Sequence, residues 1–303
     1  MLKKNGTVIL IIAGLFSLIS CGNKRKESVS LEHHFYLEKD DFQVIKNIAV
    51  AGDPHWGSET CNPDERLKIL KNIGKRSYDA FICLGDVAEN SGKKEIYNHP
   101  VKSMNQCLKD IPVLAVSGEQ DGEKNKELFN KVFFDDSMFD KKNKFTAFRM
   151  DFSETHFIFM DDRISEKKNI KKALKWISSE LESIPLSDKV IVFSHLDFLS
   201  SGSDNSNTIS RFIPVFEKYE VDLVVSGHRH MMELLEKNGV HYIISGAMGE
   251  KLDSVNTVSP FSLWNNNSSY GFVELNLSEK EKISFAFFDS RGKHLKSYEI
   301  SSQ

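Results

Sequence analysis

The chain lacks any early apolar run long enough to cross a membrane as a helix: Thr7 to Ile19 falls short of the ~20 residues a span requires. It also lacks a strong charge of either sign. Forty Lys and Arg against 43 Asp and Glu leave a formal net charge of -3, which gives no electrostatic footprint for nucleic acid. Cysteine is scarce, at four residues, and matches no zinc-ribbon or Cys-x-x-Cys spacing. No Gly-x-Gly-x-x-Gly follows a strand, and there is no Walker loop and no Gly-x-Ser-x-Gly elbow. Dinucleotide folds, P-loop enzymes and serine hydrolases of that type are therefore without support. No internal repeat, low-complexity tract or dividing linker is present.

What is there is an ordinary globular composition, 40% hydrophobic and 27% charged over 303 residues, with 22 Phe to fill a core. The first residues stand apart. Lys3 and Lys4 precede the apolar run, and Leu18-Ile19-Ser20-Cys21-Gly22 closes it, the layout of a secretory signal. Leu-Ile-Ser-Cys also resembles the lipobox of bacterial lipoproteins. Residues 1–20 are thus expected to be a lipoprotein signal peptide, with Cys21 as the lipidated residue. Residues 21–40 would be a polar tether and 41–303 the folded domain. That reading implies a membrane partner through the N-terminal lipid and a place in the cell envelope, outside the cytoplasm. Cys61, Cys83 and Cys107 then remain, an odd number that cannot be fully paired, with Cys83 read as a small buried hydrophobe.

Along the chain, apolar runs at Val44 to Ala51, Tyr78 to Leu84, Ile111 to Val116, Lys189 to Phe193 and Val221 to Ser226 read as buried strands. Helical spacing marks Asp64 to Lys75, with Leu67, Leu70 and Ile73 inward, then Tyr97 to Leu108, Glu166 to Ile184 and Thr208 to Tyr219. The Lys face of the third of these helices reads as solvated. Ser200 to Asn207 reads as a mobile lip. Hairpins are expected over Phe145 to Met160 and around Asn238-Gly239, and a meander closes the chain. His99, His156 and His241 fit structural or exposed roles, and Asp161 a turn.

Five of the strands end in polar clusters: Asp53-Pro54-His55, Gly85-Asp86, Gly118-Glu119-Gln120-Asp121, Ser194-His195 and Gly227-His228-Arg229-His230. Residues two apart on an extended chain can reach a common point, and neutral imidazole suits Zn, Fe, Ni or Cu. Singly each is weak, since Asp86 could cap a helix and His195 could be a core histidine. In order, at five strand ends where open α/β sheets build their sites, they are a strong pattern.

The ordered set resembles the calcineurin-like metallophosphoesterase family, whose pattern is Asp-x-His, Gly-Asp, Gly-Asn-His-Asp/Glu, His, Gly-His-x-His. The resemblance implies an α/β fold, a four-layer α/β/β/α sandwich of two mixed β-sheets. It implies two metal ions, Mn, Fe or Zn. Asp53, His55 and His230 would hold the first, His195, His228 and Glu119 the second, and Asp86 would bridge them. The implied reaction is hydrolysis of a small phosphate mono- or diester by hydroxide generated at the metals, with Asp86, Gln120 and Asp121 in the catalytic machinery.

The third motif departs from the pattern. Glu119 stands where the family has a ligating Asn, and Gln120 where it has His. Glu119 still offers a donor oxygen, but it lowers the net charge of a dinuclear site by one, so the site attracts phosphate less. Gln120 has no ionisable proton to give a leaving group, a form of help typically worth ~10²–10⁴-fold in rate. Asp121 supports that histidine in the family. A catalytically impaired metal- or ligand-binding lipoprotein of the same fold is the alternative reading.

Overall fold

The computed structural model describes residues 45–89, 95–121, 126–134, 145–202, 209–279 and 281–301. The signal peptide, Cys21, the tether and most of the lip at Ser200 to Asn207 lie outside the described residues. Five α-helices and 13 β-strands follow in the order β1 (Asn47–Ala51), α1 (Pro63–Ile73), β2 (Ala80–Cys83), α2 (Asn98–Leu108), β3 (Val113–Ala115), α3 (Lys126–Phe133), β4 (Ala147–Phe152), β5 (Thr155–Met160), α4 (Ile170–Glu182), β6 (Lys189–Ser194), α5 (Ile213–Lys218), β7 (Leu223–Ser226), β8 (Met232–Lys237), β9 (Val240–Ser245), β10 (Ser262–Asn266), β11 (Gly271–Asn276), β12 (Lys282–Asp289) and β13 (His294–Ser301).

They make two mixed sheets. The first has six strands in the order β13-β12-β11-β1-β2-β3, with β1, β2 and β3 parallel and β11 antiparallel to β1. The second has seven in the order β10-β8-β9-β7-β6-β5-β4, with a parallel centre of β5, β6, β7 and β9.

Side-chain alternation sorts the layers. On β5, Phe157 and Phe159 join a core shared with Val50, Phe81 and Ile82 of the first sheet, while Ile158 between them packs with α4 and α5. That period of two puts both faces of the central strands out of water, as parallel sheets require. The shared core is rich in rings: Phe157, Phe159 and Phe193 lie within 5.2–6.4 Å of one another. Helices α1 and α2 cover the outer face of the first sheet, and α4 and α5 that of the second. The result is the expected four-layer α/β/β/α sandwich.

Local chemistry explains the element ends. The Asn62 side chain accepts from Glu65 N ahead of Pro63, a residue suited to a first helical position, so α1 starts there. Its inward face differs from the expectation: Ile69, Leu70 and Ile73 are buried, as is Arg66, whereas Leu67 is 37% exposed. The α4 lysines do face solvent, and a 3₁₀ turn over Asp162–Ser165 precedes the helix, which begins at Ile170 rather than at Glu166. Asp161 caps that turn by accepting from Arg163 N, and also accepts from Thr146 N, so it is structural. His156 is held between Asp151 and Asp188, and Cys83 is fully buried. Helix α3 and strand β10 were not legible in the sequence. β10 is a polar edge strand, Ser-Leu-Trp-Asn-Asn, without apolar alternation.

Candidate metal centre

The carboxyl ends of β1, β2 and β3 in the first sheet meet those of β6 and β7 in the second, and the five polar clusters converge between them. The chain turns sharply there. Asp53, His55, Asp86 and His228 all have positive φ, at 60°, 42°, 48° and 65°, a region non-glycine residues seldom occupy. Such conformations cost of order 1–3 kcal/mol each and gather at functional sites. Two glycines let backbone approach the carboxylates. A Cβ at Gly118 would sit 2.3 Å from Asp86 Oδ1, and one at Gly227 would sit 2.7 Å from Asp53 Oδ2.

Asp53 and Asp86 each have one oxygen tied down and one left facing the histidines. Asp53 Oδ2 accepts from His228 N at 2.9 Å, while Oδ1, fully buried and without a hydrogen-bond partner, lies 3.6 Å from His230 Nε2 and 3.8 Å from His55 Nε2. Asp86 Oδ1 accepts from Gln120 N at 2.8 Å. Asp86 Oδ2 stands between the two halves of the site, 3.4 Å from His55 Nε2 and 3.5 Å from His195 Nε2. Glu119 Oε2 lies 2.7 Å from His195 Nε2 and 3.3 Å from His228 Nδ1.

The imidazoles are held from behind. His55 Nδ1 bonds Glu89 Oε1 at 2.7 Å, His195 Nδ1 the Leu84 carbonyl at 2.8 Å, and His230 Nδ1 the Lys251 carbonyl at 3.1 Å. In the neutral ring, Nδ1 donating to its oxygen leaves the lone pair on Nε2, the tautomer a metal ligand needs. His228 is turned the other way, with Nδ1 inward and Nε2 3.9 Å from Asp197 Oδ1. Asp253 braces the last motif: its Oδ2 accepts from His230 N at 3.2 Å and pairs with Arg229 Nε at 3.2 Å. Arg66, buried, donates to the Pro54 carbonyl and stacks on Trp56, fixing the loop that carries Asp53 and His55.

The donor set fits metal ions. Asp53 Oδ1 and His55 Nε2 are buried without hydrogen-bond partners, an arrangement costing ~1–3 kcal/mol per group unless a cation fills it, and buried His195 Nε2 has only the Glu119 carboxylate beside it, at 2.7 Å. Asp53, His55 and His230 form one compact group of donor atoms within 4.8 Å of each other, Glu119, His195 and His228 a second, and Asp53, Asp86 and His195 a third between them. The electrostatics say the same. His55 is pushed up to about 9: burial alone would lower it, and Asp53, Asp86 and Glu89 more than reverse that. His195 is raised well above its ordinary range against full burial, chiefly by Asp86 and Glu119. Burial would raise Glu119, but His195 and His228 hold it well below the usual carboxylate range. The pocket demands positive charge.

All seven ligands expected from the sequence therefore come together. Gln120 is placed beside Asp86 through its backbone N–H. Asp121 sits behind the site, fully buried. It accepts from Val87 N, Ala88 N, Gly118 N and the Tyr97 hydroxyl, so it braces the two loops carrying Asp86 and Glu119 rather than facing the pocket. Glu89, Asp197, Asp253 and Arg66 were not singled out in the sequence. Each acts through another residue's side chain or backbone, and nothing in local spacing marks such contacts.

Comparison with known proteins agrees with this geometry. A family model for calcineurin-like phosphoesterases matches residues 46–232. No curated protein matches the chain at a comparable level. Among solved structures, a purple acid phosphatase from yellow lupin (Lupinus luteus) seeds superposes with a TM-score of 0.70 at 14% identity, covering 86% of this chain. This chain spans about half of that one, 54%. GAP50, the anchor in the inner membrane complex of Plasmodium, gives 0.65 at 18% identity, with 86% and 90% of the two chains covered. A dimetal phosphatase from Danio rerio gives 0.62 at 12%, with 86% and 100% covered. At such identities these neighbours speak to the fold alone. The family match spans more than half of the chain: this protein belongs to the calcineurin-like phosphoesterases, a family of metal-dependent phosphoesterases.

Proposed function

We propose that the protein is a dinuclear metal-dependent phosphoesterase that hydrolyses small phosphate esters outside the cytoplasm. The observation that carries this reading is the position of Asp86 Oδ2, between His55 Nε2 of one donor triad and His195 Nε2 of the other. Asp53, His55 and His230 would hold one ion, Glu119, His195 and His228 the other, and Asp86 would contact both. Mn, Fe and Zn all suit this mixed imidazole and carboxylate set. When bound, such ions supply Lewis-acid polarisation of a phosphoryl oxygen and lower the pKa of a water molecule.

The chain's own residues do the rest. Glu89, the Leu84 carbonyl and the Lys251 carbonyl orient three imidazoles, and Asp121 fixes the relation between the Asp86 and Glu119 loops. Deep burial of Asp53 and His195 excludes water from one side of the pocket, while Glu119 and His228, at 43% and 39% side-chain exposure, leave the other side open to substrate. Gln120 can offer amide hydrogen bonds but no proton. Esters with stable leaving groups are therefore the better substrates.

The test is hydrolysis of para-nitrophenyl phosphate and bis(para-nitrophenyl) phosphate by protein supplied with Mn²⁺, Fe²⁺ or Zn²⁺. Turnover is expected, and Asp86→Ala should abolish it; undiminished turnover in that variant removes the reading. The location rests on Lys3, Lys4, the Thr7 to Ile19 run and Cys21. Acylation of the chain in cells, lost in Cys21→Ser, checks it.

A second reading, binding of metal or ligand without turnover, is favoured by Gln120 standing where the family's proton-donating His is expected. Metal-loaded protein that hydrolyses neither ester would support it.

A further inference from the structure

The pocket's charge restricts which esters it favours, and one residue adjusts that charge. Asp53, Asp86 and Glu119 converge on the pocket. Two more carboxylates flank it: Asp162 Oδ1 lies 3.5 Å from Ser117 Oγ, beside the Gly118-Glu119 turn, and Asp197 Oδ1 lies 3.9 Å from His228 Nε2. Arg229, the basic residue between His228 and His230, is paired with Asp253.

We propose that the pocket selects singly charged phosphodiesters over doubly charged phosphomonoesters, and that Glu119 is the specificity-determining residue. The inference rests on the dinuclear reading above. Two divalent ions facing Asp53, Asp86 and Glu119 leave one net positive charge, where a neutral amide at position 119 would leave two. A phosphodiester monoanion brings that assembly to neutrality. A monoester dianion leaves an excess negative charge. Shape agrees with charge. A diester has a second organic arm to accommodate, and the exposed side of the pocket, at Glu119 and His228, is where it can extend.

The experiment measures anion binding as well as turnover. Protein loaded with Mn²⁺, its metal content assayed in the same sample, is titrated with dimethyl phosphate and with inorganic phosphate at a pH where the latter is the dianion. Binding is followed by phosphorus NMR relaxation. The wild type is expected to bind dimethyl phosphate at least as tightly as inorganic phosphate. Glu119→Asn, which keeps a donor oxygen and removes the charge, should shift the ratio toward inorganic phosphate by about tenfold or more. Glu119→Gln repeats the measurement with side-chain length preserved, should the Asn variant lose its metal. The ratio of bis(para-nitrophenyl) to para-nitrophenyl phosphate kcat/KM should move in the same direction. Two ions bound with a wild-type preference for the dianion, or with a ratio unmoved by either substitution, overturns the selectivity while leaving the phosphoesterase reading intact. Failure to hold two ions overturns both.

Discussion

Glu119 Oε2 lies 2.7 Å from His195 Nε2 and 3.3 Å from His228 Nδ1, so a carboxylate occupies the place between two imidazoles where the family pattern has an amide. In the proposed centre these three side chains would form one ligand set. Glu119→Ala is expected to lower metal stoichiometry from two ions to one, read by elemental analysis after desalting. Retention of both ions would show that Glu119 is not a ligand.

The Glu89–His55 contact would support the first proposed ion from behind. Glu89→Gln keeps the size and weakens the acceptor at His55 Nδ1. Loss of such a partner typically weakens metal binding ~10–100-fold. Calorimetric titration should show that loss with little change in the Tm of the metal-free protein.

Stability of the metal-free protein should depend on pH through the same histidines. His55 is raised from 6.5 to about 9, so the protonated form is favoured by the fold. Its contribution is fully present below pH 6.5 and is lost as pH rises through about 9. The Tm of metal-stripped protein should therefore fall across that window. Metal-loaded protein, in which cations replace those protons, should show no such fall. A Tm of stripped protein that rises over the same range would contradict the assignment.

Gln120 lies beside Asp86 and has no proton to give. Gln120→His should raise kcat for alkyl phosphate esters, whose leaving groups need protonation, toward the ~10²–10⁴-fold typical of general acid catalysis. It should change nitrophenyl ester hydrolysis little. Equal effects on both classes would point to a change in binding instead.

Much of this architecture was legible in the sequence because strand, turn and ligand are local. Val221 to Ser226 followed by Gly227-His228-Arg229-His230 carries a buried strand, a close-approach glycine and two imidazoles in one stretch. The relationships between loops at neighbouring strand ends were not legible. Nothing near Glu89 reveals that it meets His55, nor near Asp253 that it braces His230, because both contacts arise only when β1 pairs with β2 and β7 with β9. Leu67 misled for a related reason: the helical stripe was right, but Arg66 takes an inward position to reach Pro54 and Trp56, an interaction set by tertiary structure. Strand β10 escaped because an edge strand needs no apolar alternation.

On the proposed reading, the five strand ends build one site for two metal ions. Elemental analysis of the protein after incubation with Mn²⁺, Fe²⁺ or Zn²⁺ and removal of excess metal tests it most directly. Two ions per chain in the wild type, and fewer in Asp86→Ala, is the predicted result; a wild-type chain that stays metal-free under all three conditions would contradict it.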